Sequence, residues 1–339
     1  MTILVTGGAG FIGSNFIHDW FLENNELIIN IDKLSYAANI DNLSSLRDSK
    51  LHVLVVGDIA DNTLITKVLE EYKPRAVVNF AAESHVDRSI TNPKNFVLTN
   101  IVGTFELLNC VRSYWENHFK NNGQEFRFLH ISTDEVYGSL SIGTPSFTEK
   151  NRYKPNSPYS ASKASSDHLV RAFYRTYGLP VITTNCSNNY GPFQFKEKLI
   201  PLAIHNAVEK KPIPIYGNGM NIRDWLFVQD HCSALRKVLK SGKIGEVYNI
   251  GGLNEKTNIE IINSVCDILD SIRPINYRNK LKSYRELITY VEDRKGHDYR
   301  YSVSTKKIEK KLGWRPLETF ESGIQKTVSW YINQIEKKG

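Results

Sequence analysis

A doubly wound α/β fold, one parallel sheet covered by helices on both faces with a smaller mixed α/β domain against it, is what the sequence predicts. Three observations carry that expectation. Short apolar runs alternate with longer amphipathic ones through the first half of the chain, a glycine-rich turn follows the first run, and the pattern loosens after residue 185. Apolar strands without polar alternation are buried on both faces, and helical stretches between them act as crossovers, which describes a parallel sheet.

The expected strands are "TILVT" at 2–6, "LIINI" at 27–31, "HVLVV" at 52–56, "AVVNF" at 76–80, "FRFLHI" at 126–131 and "VITTN" at 181–185. The expected helices between them span 12–25, 62–72, 93–118 and 159–177. Beyond 185, "NNYGPFQF" and "KKPIPIYGNG" bring Pro, Gly and Asn punctuation, with helices expected at 196–210, 258–270 and 318–335 and a strand in "EVYNI" at 246–250. No repeat and no low-complexity linker separates the two parts, so the second is expected to pack closely on the first.

With 339 residues, 41% hydrophobic and 23% charged, the chain can bury a large core. The formal charge of +7 comes from scattered lysines, apart from short clusters such as Lys306-Lys307 and Lys310-Lys311 on an expected helix. Without an aromatic-interleaved basic stripe, a solvated helix face or a mild positive field for an anionic substrate explains it better than nucleic acid. Cys110, Cys186, Cys232 and Cys266 lie far apart, and the chain enters a strand at once with no signal-peptide pattern, so reduced cysteines in a cytoplasmic protein are expected. No run nears eighteen uninterrupted apolar residues, so no membrane span is expected. His85 and His297 sit in no His or Cys cluster of ligand spacing, so they are read as hydrogen-bonding residues and no metal is expected.

The first strand runs into "GGAGFIGS", which spaces Gly7, Gly10 and Gly13 as Gly-x-x-Gly-x-x-Gly at a strand-to-helix turn. The first two let backbone amides approach a pyrophosphate, and the third lets the helix lie close to the sheet. This is the Rossmann-type arrangement, and it predicts dinucleotide binding. Asp32 ends the second strand, where a carboxylate accepts from both ribose hydroxyls and repels a 2′-phosphate, so NAD is favoured over NADP even with Lys33 alongside. Asp58 ends the third strand, either meeting the adenine edge or capping the helix that begins near 62. Ala81 and Ala82 are small enough for a cofactor to lie against. The division that follows is a NAD-binding domain at 1–185 and a mainly substrate-binding domain at 186–339, with some segments of the latter returning to the first.

In "YSASK", Tyr159 and Lys163 stand four apart at a helix start and share a face. A neighbouring ammonium and a positive nicotinamide ring would favour the phenolate, giving a base for a sugar hydroxyl; the alternative is an exposed helix-surface pair. "FLHISTDEVYGS" places Asp134 and Glu135 side by side at a strand mouth. Two close carboxylates push their pKa values apart, so one can act as acid and the other as base. Neighbours on a regular strand face opposite sides, so the assignment requires the chain to leave strand geometry by Asp134; otherwise the pair is a solvent-facing cap. Arg223 and Arg294 suit bidentate phosphate contact and Lys198 a point-charge contact.

The motifs "GGAGFIGSN", "AAESHVDRSI", "STDEVYG", "YSASK", "NNYGP", "EKLIP", "IYGNG", "IRDWLFVQDH", "YNIGG" and "RKGHD" span nearly the whole chain. On these the sequence resembles the extended short-chain dehydrogenase/reductase superfamily, and within it the sugar-nucleotide 4,6-dehydratases, since epimerases of this fold normally lack the Asp-Glu pair. The resemblance implies that Thr133, Tyr159 and Lys163 serve redox steps and Asp134 and Glu135 a dehydration, with Glu135 as base and Asp134 as acid. It implies NAD contacts at Phe11, Ile12, Asp32, Lys33, Leu34, Asp58, Ile59, Ala81, Ala82, Thr99 and Asn189. It places dTDP-glucose against Ser84, Thr133, Asn188, Lys198, Leu199, Pro214, Ile215, Tyr216, Arg223, Asn258, Arg294 and His297, and implies a homodimer through the helices near 93–118 and 159–177. Lys196 stands where such enzymes have proline, and Gln229 where glutamate is usual. The competing readings are a dehydratase for GDP-mannose or CDP-glucose, a sugar-nucleotide 4-epimerase, and a protein that binds NAD without turnover.

Overall fold

The computed structural model describes residues 1–275 and 281–337. β1 (Thr2–Thr6), α1 (Phe11–Glu23), β2 (Leu27–Asp32), β3 (His52–Val56), α2 (Asn62–Tyr72) and β4 (Ala76–Asn79) come first. Two short helices, α3 (Val86–Thr91) and α4 (Pro93–Phe96), run through a π-helical segment, Val97–Gly103, into α5 (Thr104–His118). β5 (Arg127–Thr133), α6 (Pro158–Tyr177) and β6 (Val181–Cys186) follow. The remainder holds β7 (Asn188–Tyr190), α7 (Leu199–Val208), β8 (Ile213–Tyr216), β9 (Ile222–Phe227), α8 (Val228–Ser241), β10 (Val247–Ile250), β11 (Glu255–Thr257), α9 (Asn258–Ile272), β12 (Ile288–Val291), α10 (Lys306–Leu312) and α11 (Phe320–Glu336).

The main sheet has seven strands in the order β3-β2-β1-β4-β5-β6-β10, every pair parallel. Strand order reverses between β1 and β4, and the crevice beyond their C-terminal ends is where open α/β sheets take ligands. The pleat sends Ile3 and Val5 to one face, among Phe16, Ile17, Leu235 and Val238 of α1 and α8. It sends Leu4 to the other, among Val68, Leu107, Val111 and Val170 of α2, α5 and α6. A separate core gathers α7, α9 and α11 around Ile215 and Phe227, and there the sheets are small: β7-β9-β11, which is mixed, and a β8-β12 pair. No described helix is long and apolar enough to cross a membrane.

The key helix ends follow from their caps. α6 begins with a Ser157–Ser160 capping box and Pro158 in its first turn, and ends at Gly178 in the left-handed region. Elsewhere the chain departs from sequence expectation. The single helix expected over 93–118 carries the π-helical turn, because buried Asn100 reaches sideways: its Oδ1 accepts from Glu83 N at 2.8 Å while its Nδ2 donates to Glu83 O and Ser162 Oγ. The helix expected from 196 starts only at Leu199, since Lys198 is still extended. α8 was not anticipated, yet Cys232, Leu235, Val238 and Leu239 fall at helical spacing and pack its buried face.

Candidate active site

One cavity opens at the crevice between β1 and β4 and continues over the ends of β5 and β6. Gly7, Gly10, Phe11, Ile12, Gly13, Asp32, Lys33, Asp58, Ile59, Ala81, Ala82 and Thr99 line one part, and Ser84, Thr133, Asp134, Glu135, Tyr159, Lys163, Asn188, Asn189 and Lys198 the other. Leu34, Leu199, Pro214, Ile215, Tyr216, Arg223, Asn258, Arg294 and His297 are not on its wall; Ile215 is buried in the smaller domain's core. Tyr36, His85, Ser187, Gln194 and Phe195 also line it, and sequence reasoning did not single them out for the site, apart from His85 as a hydrogen-bonding residue; Ser132, which the sequence sets beside Thr133 at the expected oxidation site, lines it too.

At the glycine turn, Gly7 has φ +72° and a Cβ there would come within 2.7 Å of Ala81 N. Gly10 caps α1 with no side-chain acceptor, so the first-turn amides are left for an anion. A Cβ at Gly13 would collide with the carbonyl of Gly7 and sit 2.8 Å from Gly8 Cα, both backbone. Gly13→Ala is therefore expected to cost about 1–3 kcal/mol and strip cofactor from the purified protein; thermal unfolding and cofactor content check it, and wild-type values for both would refute it. Asp32 accepts from Ala9 N at 2.9 Å and Leu34 N at 2.8 Å, which fixes its carboxylate beside the turn. Lys33 is drawn aside, donating to Thr99 Oγ1 at 2.8 Å and lying 3.7–3.8 Å from Glu83 and Asp58. Asp61, not Asp58, caps α2, accepting from Leu64 N, which leaves Asp58 on the cavity wall. Glycine turn, open amides and fixed carboxylate together fit a dinucleotide.

β5 ends at Thr133, whose hydroxyl accepts from Glu135 N and turns the chain into a 3-10 helix over Asp134–Tyr137. That turn breaks the strand alternation, so adjacent Asp134 and Glu135 both reach the cavity instead of forming a solvent-facing cap. Gly138, φ +86°, completes it. Burial pushes the Asp134 carboxyl well above its usual range, with Glu135 and Asp224 adding to it and Arg223 opposing. Burial raises Glu135 as well, but Arg223, Lys198 and Arg294 all pull against it. Asp134 Oδ2 is buried with no partner among the described residues.

Tyr159 and Lys163 share a face of α6 and are buried, which removes the exposed-pair alternative. The phenol does not follow expectation: burial first, then Glu135, hold it well above its ordinary value, with the Thr133 hydroxyl opposing. The lysine donates to Ile131 O at 2.8 Å, and burial lowers its ammonium.

The cations are already engaged. Arg294 makes a bidentate pair with Asp87 at 2.5 and 2.9 Å, and Tyr216 OH lies 3.4 Å from the same carboxylate. Arg223, buried, gives its guanidinium to the carbonyls of Ile222, Tyr299 and Asp298 and lies over the Tyr301 ring, so a free bidentate phosphate fork is not what it presents. Lys198 donates to Ser84 O at 2.9 Å. His297 Nδ1 meets Asp293 at 2.6 Å, and Gln229 Nε2 meets Asn15 Oδ1 at 3.2 Å. Among the described residues no cluster could hold a metal ion.

Fold and cavity together define a dinucleotide-binding α/β protein of the short-chain dehydrogenase/reductase kind. The sequence profile of the family described as GDP-mannose 4,6 dehydratase matches residues 4–327. A dTDP-glucose 4,6-dehydratase of Salmonella typhimurium is 56% identical over 98% of this chain and 93% of its own length. Among solved structures, a dTDP-glucose 4,6-dehydratase of Streptomyces venezuelae with NAD bound superposes with TM-score 0.89 at 42% identity, covering 99% of this chain and 98% of that one. A Bacillus anthracis dTDP-glucose 4,6-dehydratase in complex with NAD gives 0.87 at 46% identity over the same shares. The chain belongs to the dTDP-glucose 4,6-dehydratases.

Proposed function

We propose that this chain carries out the NAD-dependent 4,6-dehydration of dTDP-glucose to dTDP-4-keto-6-deoxy-D-glucose. The observation that carries it is the turn after Thr133, which brings two carboxylates with opposed charge surroundings to the cavity that Tyr159 and Lys163 also line. Bound NAD supplies a hydride acceptor for carbon 4 and a donor for carbon 6. Tyr159 takes the proton of the 4-hydroxyl, with the Thr133 hydroxyl beside it and Lys163 stabilising the phenolate. A ketone at carbon 4 makes the carbon 5 proton acidic; Glu135 removes it, and Asp134, held protonated by burial, gives a proton to the hydroxyl leaving carbon 6. As hydride returns to carbon 6, carbon 5 takes a proton back from Glu135, so no net redox change results and one cofactor serves successive turnovers.

The proposed division of labour puts NAD on 1–185 and the substrate mainly on 186–339, with α8 and β10 returning to the large sheet. Within it, Gly7, Gly10, Phe11, Ile12, Gly13, Asp32, Lys33, Leu34, Asp58, Ile59, Ala81, Ala82, Thr99, Tyr159, Lys163 and Asn189 hold the cofactor. Ser84, Thr133, Asn188 and Lys198 meet the sugar end, and Leu199, Pro214, Tyr216, Asn258, Arg294 and His297 border the nucleotide end of the sugar-nucleotide site, with Ile215 in the core and Arg223, held by backbone carbonyls, supporting it from behind. Arg294 would exchange Asp87 for phosphate. Four free, buried cysteines support a reducing, cytoplasmic setting.

Incubation with dTDP-glucose and NAD should give a product lighter by one water that carries a ketone and a methyl group. Turnover of GDP-mannose or CDP-glucose in its place would overturn the substrate. A homodimer is proposed through the α4–α5 and α6 surface, where Val97, Leu98, Val102, Phe105 and Tyr177 leave apolar side chains exposed. Sedimentation should give a dimer, and charged substitutions at Leu98 and Phe105 should give monomers; a wild-type monomer at assay concentration contradicts it.

A further inference from the structure

Behind α6 lies a line of buried polar side chains that the chemistry above leaves unused. Thr6 Oγ1 donates to Asn79 Oδ1 at 2.6 Å, and Asn79 Nδ2 meets His130 Nδ1 at 3.1 Å. The amide nitrogen can only donate, so Nδ1 accepts and the ring proton sits on Nε2. That Nε2 lies 3.3 Å from Asp167 Oδ1 and 3.3 Å from Ser166 Oγ. The other Asp167 oxygen accepts from Ser132 Oγ at 2.9 Å. His130 is fully buried, Ser132 3% and Asp167 5% exposed.

The pleat of β5 explains the arrangement. His130 and Ser132, two apart, point together at Asp167, while the carbonyl of Ile131 between them receives the Lys163 ammonium at 2.8 Å. Asp167 stands one helical turn beyond Lys163 on the same face of α6. A carboxylate this deep, with no lysine or arginine among the described residues in ion-pair contact, is costly unless its charge is used nearby.

We propose that Asp167 is a positioning residue for the redox pair: held by the Ser132 hydroxyl with the His130 ring alongside, its carboxylate supplies the counter-charge that keeps Lys163 an ammonium where the Ile131 carbonyl holds it under the cavity. The inference rests on the reading that Tyr159 and Lys163 carry the hydride steps. Burial draws the Lys163 ammonium down, and Asp167 is the largest influence opposing that, followed by Cys186 of β6. Burial, and then the charge of Lys163 itself, keep His130 neutral. Tyr137 and Tyr153 also face Asp167, and burial holds both phenols up, so neither titrates in a working range.

The test is the pH profile of the first hydride transfer, followed in single turnovers of the holoenzyme with dTDP-glucose by the absorbance of reduced nicotinamide. In Asp167→Asn the alkaline limb should move to lower pH by about one unit or more, because the ammonium is lost sooner. Substrate KM should stay near wild type, and Asp167→Glu should restore part of the limb. Ser132→Ala, which frees one carboxylate oxygen, should shift the limb the same way by less, and it decides the matter should Asp167→Asn not fold. A wild-type limb in the folded variants, alongside a Lys163→Met protein that has lost hydride transfer, overturns the role of Asp167 alone. Hydride transfer intact in Lys163→Met overturns the underlying reading and this proposal with it.

Discussion

Tyr159→Phe is expected to lower the first hydride transfer by about 10³-fold, within the range that a positioned acid–base group contributes. The phenol is buried and its ionisation held up, chiefly by burial and then by the negative field of Glu135. It must therefore give up its own proton, favoured by the Lys163 ammonium and the positive nicotinamide of bound NAD, before it can take the sugar proton as hydride departs. Substitution removes only the hydroxyl; the ring stays edge-on to Phe96 with centroids 6.3 Å apart, so the fold should hold. Substrate and cofactor affinity should change little, which separates lost chemistry from lost binding. Stopped-flow absorbance of reduced nicotinamide measures the step, and a rate within tenfold of wild type would remove Tyr159 from the mechanism.

Glu135→Gln is expected to leave the first hydride transfer standing while dehydrated product falls by about 10²–10⁴-fold. The amide is isosteric but cannot take the carbon 5 proton, so reduced cofactor and a 4-keto sugar should accumulate. The pH dependence has a definite sign. Glu135 works unprotonated and burial raises its pKa above the ordinary 4.5, so elimination should fade as pH drops through a value above that, earlier than for a solvated glutamate. Arg223, Lys198 and Arg294 limit the rise, so Arg223→Met should push that acid limb to higher pH still. Mass spectrometry of quenched turnovers reads the product, and wild-type yield from the glutamine variant would require a different base.

Much of the large domain was legible because its determinants are local or periodic. The strands from β1 to β6 fall within a residue or two of the apolar runs, and α2 spans 62–72 as expected. The small strands β7, β8, β9, β11 and β12 were not legible: unlike the near-continuous apolar runs of the large sheet, they carry polar residues or proline among few apolar ones, and each exists only through its partner. The present partners of the arginines were not legible for a related reason. Sequence shows that Arg223 and Arg294 are cations but not that Asp87 or three backbone carbonyls already hold them.

By itself the sequence determined the parallel sheet, the glycine turn, Asp32 at the end of the second strand and the shared helix face of Tyr159 and Lys163, because chain spacing and side-chain type suffice for each. It supplied Asp134 and Glu135 as neighbours but left their directions open. Only the tertiary structure decided that both face the cavity, through the hydrogen bond from Glu135 N to Thr133 that ends β5. It alone also set the two carboxylates apart electrostatically, since their difference comes from burial and from Arg223, Lys198 and Arg294, charges drawn from distant parts of the chain. Electrostatic surroundings are set by distance in space, and no spacing along the sequence encodes them.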